Sequence, residues 1–209
     1  MATRKEHSQT ALITGATSNI GYELAKYFAK KGNNLVLVAR DQHVLYKICD
    51  EIEDEFGIYA SALTLDFALP TSPNEIFSEL TRASIQVDIL VNNPEFDNSG
   101  LINKTSLEYE LKTTQANLVN LTHLTKFLLP SMLKHKFGKI LNIMTAGSFT
   151  PDPSNAVYCV TKEYIQSFSE ALENELKSTN INVMVLCPDE DFFKKTNILT
   201  KIRKFSINR

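Results

Sequence analysis

The sequence predicts an α/β fold, a doubly wound parallel sheet of about six strands covered by helices on both faces. Three observations predict it. Apolar runs of strand length alternate with amphipathic stretches of helix length from one end of the chain to the other. The strand runs are apolar nearly throughout rather than alternating, which is the pattern of strands buried on both faces. The residues that stand out chemically, Gly15, Arg40, Asp66, Asn92, Thr145 and Pro188, all fall where a strand run ends. In such sheets ligands bind at the carboxyl ends of the strands, near the switch in strand order.

Each element follows from its residues. Ala11–Thr14 is a short apolar strand, Gly15–Gly21 a tight turn, and Tyr22–Lys31 a helix with Leu24, Ala25 and Phe28 on one face. Asn33–Ala39 is a second strand. Asp41–Phe56 is an amphipathic helix, because Val44, Leu45, Ile48, Ile52 and Phe56 recur at helical spacing. Ile58–Leu65 is a third strand ended by Asp66, and Pro70–Arg82 a helix with Ile76, Phe77 and Leu80 as its stripe. Val87–Val91 is a fourth strand ended by Asn92-Asn93, followed by a loop over Glu95–Asn103. Ser106–Lys136 is long and helical, in two pieces with a bend expected near Pro130. Lys139–Met144 is a fifth strand. Asp152 or Ser154 can cap a helix that carries Tyr158 and runs to about Lys177, and Ile181–Cys187 is a sixth strand stopped by Pro188.

Composition bounds the rest. The 209 residues suit a single domain over 1–209, and 43% hydrophobic with 22% charged residues suits a buried core with a solvated surface. A net charge of -2 gives no case for nucleic-acid binding. Cys49, Cys159 and Cys187 are scattered and odd in number, which fits reduced thiols and a cytoplasmic setting. No Cys/His spacing suggests a metal site. The N-terminus lacks an apolar signal core, and no apolar run approaches membrane-spanning length.

The chemistry concentrates at Tyr158 and Lys162. Four residues apart on a helix, they are neighbours on one face. An ammonium beside a phenol favours the phenolate, which suits Tyr158 to give a proton to a carbonyl or take one from an alcohol. The spacing alone is common; Tyr22/Lys26 and Tyr27/Lys31 repeat it on the first helix.

Over roughly Ala11 to Pro188 the chain resembles the short-chain dehydrogenase/reductase family, whose fold is a three-layer Rossmann-like sheet. The turn Thr14-Gly15-x-x-x-Asn19-Ile20-Gly21 is similar to the family's nucleotide loop Thr-Gly-x-x-x-Gly-x-Gly. Leu65-Asp66 corresponds to its adenine contact, Asn92-Asn93-Pro94-Glu95 to its Asn-Asn-Ala-Gly, Asn117 to its catalytic asparagine and Thr145 to its catalytic serine. Tyr158 and Lys162 match its Tyr-x-x-x-Lys, and Pro188 the proline after its sixth strand. The resemblance implies that Tyr158 transfers the proton and that Lys162 tunes it and holds the nicotinamide ribose. It implies that Thr145 bonds the substrate carbonyl and that Asn117 holds a water leading to Lys162. Gly15, Thr17, Ser18, Asn19, Ile20, Gly21, Arg40, Asp66, Phe67, Asn92 and Pro188 would join Tyr158 and Lys162 in holding the cofactor. Arg40 at the end of the second strand favours NADP(H) over NAD(H), because a guanidinium accommodates a 2′-phosphate. The implied partner is a small carbonyl or alcohol. A homodimer through the Ser106–Lys136 helix and the Tyr158 helix is also implied.

Five departures from the family pattern accompany these matches: Asn19 for a loop glycine, Pro94-Glu95 for Ala-Gly, Thr145 for serine, the acids Asp189-Glu190-Asp191 after Pro188, and an atypical short segment over 189–209. Lys194–Arg209 carries six positive residues and no acid, with Ile198, Leu199, Ile202 and Phe205 spaced for one helical face. A packed helix with a solvated basic face, a lid, a partner-binding helix and contact with an anionic membrane all fit it. Two functional readings stay open: an NADP(H)-dependent oxidoreductase, and a non-catalytic relative that keeps the fold to bind a dinucleotide or serve as a scaffold.

Overall fold

The computed structural model describes residues 8–94, 100–144 and 156–187. They form β1 (Thr10–Thr14), α1 (Asn19–Lys30), β2 (Asn34–Ala39), α2 (Gln42–Phe56), β3 (Ala60–Thr64), α3 (Ser72–Arg82) and β4 (Ile89–Asn92). Then come α4 (Leu107–Thr114), a π-helical turn (Gln115–Asn120), α5 (Leu121–His135), β5 (Gly138–Ile143), α6 (Ala156–Glu175) and β6 (Ile181–Leu186). The strands make one six-stranded sheet in the order β3-β2-β1-β4-β5-β6, and every pairing is parallel. The order reverses between β1 and β4, so the crevice at their carboxyl ends is the topological switch point.

Period-two alternation along the strands splits the core in two. On β1, Ala11 and Ile13 pack with Leu24, Phe28, Leu45 and Ile52 of α1 and α2. Leu12 faces the opposite way, with Ile76 of α3, Leu124 and Leu128 of α5, and Leu172 of α6. Both faces of β1 are dry, which is why its sequence is apolar without alternation. Asp41 caps α2 by accepting the Val44 N–H at 3.0 Å, and Gly57 ends that helix in the left-handed conformation at φ 65°.

One expectation is corrected here. The irregularity in the 106–136 helix lies at Gln115–Asn120, not at Pro130, which sits inside α5. Lys126 and Pro130 are both exposed, so the carbonyl deprived of a proline N–H can turn to water. Within the wide turn, Asn120 bonds outside the helix, as set out below. Among the described residues β3 and β6 are the edges of the sheet. The positions Thr145, Glu95, Asp152, Ser154, Pro188, Asp189-Glu190-Asp191 and the basic stretch after Lys194 lie outside the described residues.

Candidate active site

The turn after β1 is tied down by three side chains. Gly15 has φ 59°, a conformation that costs glycine little and other residues more. Ser18 caps α1: its Oγ donates to the Gly15 carbonyl at 2.9 Å and accepts the Gly21 N–H at 2.9 Å. Asn93 reaches across from the end of β4, its Nδ2 donating to the Gly15 carbonyl at 3.0 Å and to Ser18 Oγ at 2.9 Å. Thr14 Oγ1 accepts the Asn93 N–H at 2.9 Å, so the two lips of the switch point are bonded to each other. A Cβ on Gly21 would fall 2.1 Å from the Gly15 carbonyl oxygen, which explains why glycine stands there. The Tyr22 N–H also turns back to Ser18, at 2.8 Å. The amides of Asn19 and Ile20 are then the helix-start donors an anion would meet. Asn19 is the exposed first residue of α1, and among the described residues only Ser84 and Lys136 have positive φ without being glycine. The turn therefore asks no left-handed conformation of Asn19.

Arg40 follows β2 and is exposed, while Asp66 follows β3 one step along the same edge, where the Leu65 N–H bonds the Ala39 carbonyl at 3.0 Å. Asp66 Oδ1 accepts the Ala68 N–H at 3.0 Å, and its carbonyl accepts from Ser72 Oγ at 2.6 Å and from the Leu69 N–H at 3.0 Å. Phe67 is buried. The Glu108 carboxylate holds the Lys112 ammonium above its ordinary range, with Asp66 adding a smaller pull and Arg40 opposing it, so α4 stands near the ends of β2 and β3.

Asn92 is buried and its amide faces inward. Its Nδ2 donates to Asn142 Oδ1 at 2.8 Å and to Thr125 Oγ1 at 3.3 Å. Asn142 Nδ2 donates to Ser169 Oγ at 2.8 Å, and Ser169 Oγ donates to the Ile165 carbonyl at 2.6 Å. This chain of bonds fixes α6 against β4 and β5, and α6 carries Tyr158 and Lys162.

All three Tyr-x-x-x-Lys pairs have the same local geometry, with the ammonium over the ring: 5.5 Å for Lys26 over Tyr22, 5.9 Å for Lys31 over Tyr27 and 4.6 Å for Lys162 over Tyr158. Their surroundings differ. Tyr158 and Lys162 are 7% and 6% exposed, in the first turns of the helix that follows β5, whereas Lys31 is exposed and Lys26 half-buried beside Glu55 at 2.9 Å. Burying an ammonium is costly, and the fold accepts that cost at the sheet's carboxyl edge alone among these three. Asn117 of the π-turn is fully buried, and neither Nδ2 nor Oδ1 has a hydrogen-bond partner among the described residues. π-turns recur at functional sites. A groove of about 700 Å³ lined by Gln42, Tyr46, Leu65 and Glu75 runs beside β3 between α2 and α3, and none of Tyr158, Lys162 and Asn117 lines it.

A dinucleotide fits this edge of the sheet on structural grounds. The turn has no room for a Cβ at Gly21, the helix start offers donors, and the buried Asn117 amide lacks partners among the described residues. The roles of Asn93 and Asn120 were not anticipated from sequence. The Asn-Asn pair that closes β4 is the one signal that could have drawn attention to Asn93.

The short chain dehydrogenase family model matches residues 9–205. The very-long-chain 3-oxoacyl-CoA reductase of Rattus norvegicus is 31% identical over 207 residues, which are 95% of this chain and 63% of that protein. The reductase of that name from Mycosarcoma maydis is 33% identical over 199 residues, 94% of this chain and 56% of that one. The chain thus spans less than two thirds of the length of these relatives. A short-chain dehydrogenase from Sphingobium yanoikuyae in complex with NADPH superimposes with a TM-score of 0.81 at 32% identity, covering 87% of this chain and 70% of that chain. The L-sorbose reductase from Gluconobacter frateurii, complexed with NADPH and L-sorbose, does so with a TM-score of 0.81 at 28% identity, covering 93% and 75%.

Proposed function

The chain belongs to the short-chain dehydrogenase family, and from that premise we propose that it is an NADP(H)-dependent oxidoreductase interconverting a carbonyl and an alcohol. The observation that carries this reading is the burial of Lys162 over Tyr158 on α6 at the carboxyl edge of the sheet, with α6 packed on the π-turn whose fully buried Asn117 has no partner among the described residues.

When bound, the nicotinamide supplies or accepts the hydride. The chain's own residues do the rest. In reduction the Tyr158 hydroxyl gives its proton to the carbonyl oxygen as charge develops there, and in oxidation the phenolate takes one back. The Lys162 ammonium favours that phenolate and binds ribose hydroxyls. Asn117 holds a water through its unpaired amide and connects Lys162 to solvent. Thr145 donates its hydroxyl to the substrate oxygen. The donors at the start of α1 take the pyrophosphate, with Gly15, Thr17, Ser18, Asn19, Ile20 and Gly21 shaping the turn. Asp66 and Phe67 would hold the adenosine half and Arg40 the 2′-phosphate, which favours NADP(H) over NAD(H). Asn92 and Pro188 would serve the nicotinamide half.

The names of the relatives support a 3-oxoacyl thioester as the first substrate to try. The test is NADPH oxidation across a panel of aldehydes, ketones and 3-oxoacyl thioesters. Turnover of any member supports the reading. NADPH binding with no turnover in either direction would favour the non-catalytic alternative, which the departures Asn19, Pro94-Glu95 and Asp189 support.

Residues 1–209 are one dinucleotide-binding unit in this proposal, with 189–209 its atypical basic segment. It pairs through α4, α5 and α6, where Leu107 and Val160 stand 74% and 64% exposed and Leu111 is exposed between them in sequence. No described helix is long and apolar enough to cross a membrane. The reduced cysteines support a cytoplasmic setting.

A further inference from the structure

Asn120 ends the π-turn and is fully buried. Its Nδ2 donates to the Phe67 carbonyl at 2.6 Å and to the Leu69 carbonyl at 2.8 Å, while its Oδ1 accepts from Gln115 Nε2 at 2.8 Å. Both donor hydrogens of one amide are thus spent on the loop that leaves β3, across fifty-odd residues of sequence. That loop is the one that begins with Asp66. Phe67 is buried and lies outside the strands, so its carbonyl has no ladder N–H to meet it, while the Leu69 carbonyl is the part-buried outer acceptor of the clamp. Gln115 in turn fixes the amide's orientation, so the oxygen cannot rotate toward the carbonyls.

We infer that Asn120 is a positioning residue for the adenosine end of the cofactor: it clamps the Asp66–Leu69 loop to the π-turn that carries Asn117. The inference rests on the dinucleotide reading above. It adds that one buried amide sets where Asp66 and Phe67 stand relative to Arg40, and that the same six-residue turn serves the adenosine end through Asn120 and the reacting end through Asn117.

The test compares the unaltered protein with Asn120→Asp, which keeps the size but loses both donors, and Asn120→Ser, which keeps one. Adenosine 2′,5′-bisphosphate, which is the adenosine half of NADPH, is titrated calorimetrically alongside NADPH. Each variant should bind both ligands about five- to thirtyfold more weakly and by the same factor, since the loss sits in the half they share. Any turnover at saturating cofactor should stay within about twofold. Ile52→Ala, a core change remote from the loop, should lower the melting temperature without moving either affinity. Unchanged bisphosphate affinity in both Asn120 variants overturns the inference, as does an equal loss in Ile52→Ala. If the unaltered protein binds neither ligand, the dinucleotide reading itself fails, which is a different result. Should neither variant fold, amide exchange in the unaltered protein decides: bisphosphate should slow exchange at Ala68 and Leu69, and unchanged exchange there overturns the inference.

Discussion

Asn117 and Asn120 share one π-turn and are both fully buried, yet Asn120 has every polar atom of its side chain bonded and Asn117 has none bonded among the described residues. A buried amide without partners destabilises the fold by about 1–3 kcal/mol, so its presence asks for a reason other than stability. Asn117→Leu should therefore leave the melting temperature unchanged or raise it, while lowering turnover about a hundredfold or more. Asn120→Leu should do the reverse to stability, dropping the melting temperature by several degrees, because the buried Phe67 carbonyl and the part-buried Leu69 carbonyl lose their donor. Parallel melting curves and rates for the two variants check this. Equal destabilisation by both would remove the distinction.

Tyr158 is assigned the proton. Tyr158→Phe keeps the ring beneath the Lys162 ammonium and removes only the hydroxyl, so NADPH affinity should change by less than about threefold. Turnover should fall by about two to four orders of magnitude, the usual worth of a positioned acid or base. Steady-state rates at saturating cofactor, with binding measured separately, make the comparison. A variant as active as the unaltered protein would mean the proton comes from elsewhere.

Much of this was legible before any coordinates, and the parts that were not have physical reasons. The strands β1, β2 and β4 could be read because both their faces are dry, so their apolar runs are nearly unbroken. Their ends were read one or two residues too long, as at Ile58 and Leu65 around β3, because apolar side chains continue past the last ladder bond. The π-turn was not legible. Gln115-Ala-Asn-Leu-Val-Asn120 has ordinary helical composition, and the bonds that tie the turn down run from Asn120 to a loop far away in sequence. Pro130 drew the expected bend because proline is a local signal, but an exposed carbonyl made it harmless. Tyr158, Lys162 and Asn117 were picked out by spacing and resemblance, and all three are buried. That Lys162 is buried while Lys31 is not depends on which helix follows which strand, and spacing does not carry that information.

Gly21 offers a direct test of the turn. Gly21→Ala places a methyl against the Gly15 carbonyl, a backbone atom held in place by Ser18 and Asn93. The fold should lose about 1–3 kcal/mol by overpacking, and NADPH affinity should fall at least about tenfold as the turn opens. Thermal denaturation with and without cofactor measures both. Gly57→Ala, which unlike Gly21 sits at positive φ with open space around it, should cost stability without touching cofactor affinity.

Cys49 gives a pH signature. Burial, with smaller contributions from Glu53 and Asp50, pushes its thiol up to about 11. Below the ordinary thiol range the group is protonated in both folded and unfolded chains and adds no pH dependence. As pH rises through roughly 9 to 11 the unfolded chain ionises first, so stability falls across that window. Cys49→Ala should melt at a pH-independent offset below pH 8 and lose less stability than the unaltered protein above pH 9. Burial pushes the Lys139 ammonium down, which acts in the opposite direction and cancels in the difference between the two proteins. Identical slopes would contradict the assignment.

The account turns on whether a dinucleotide phosphate sits at the start of α1 with Arg40 beside it. Thermal denaturation against rising NADPH and, separately, NADH measures this most directly. At about a hundred times its dissociation constant NADPH should add about 2.7 kcal/mol, a rise of roughly 5–10 °C for a chain of this size, and NADH should need a higher concentration for the same rise. No shift with either cofactor at millimolar concentration would contradict the account.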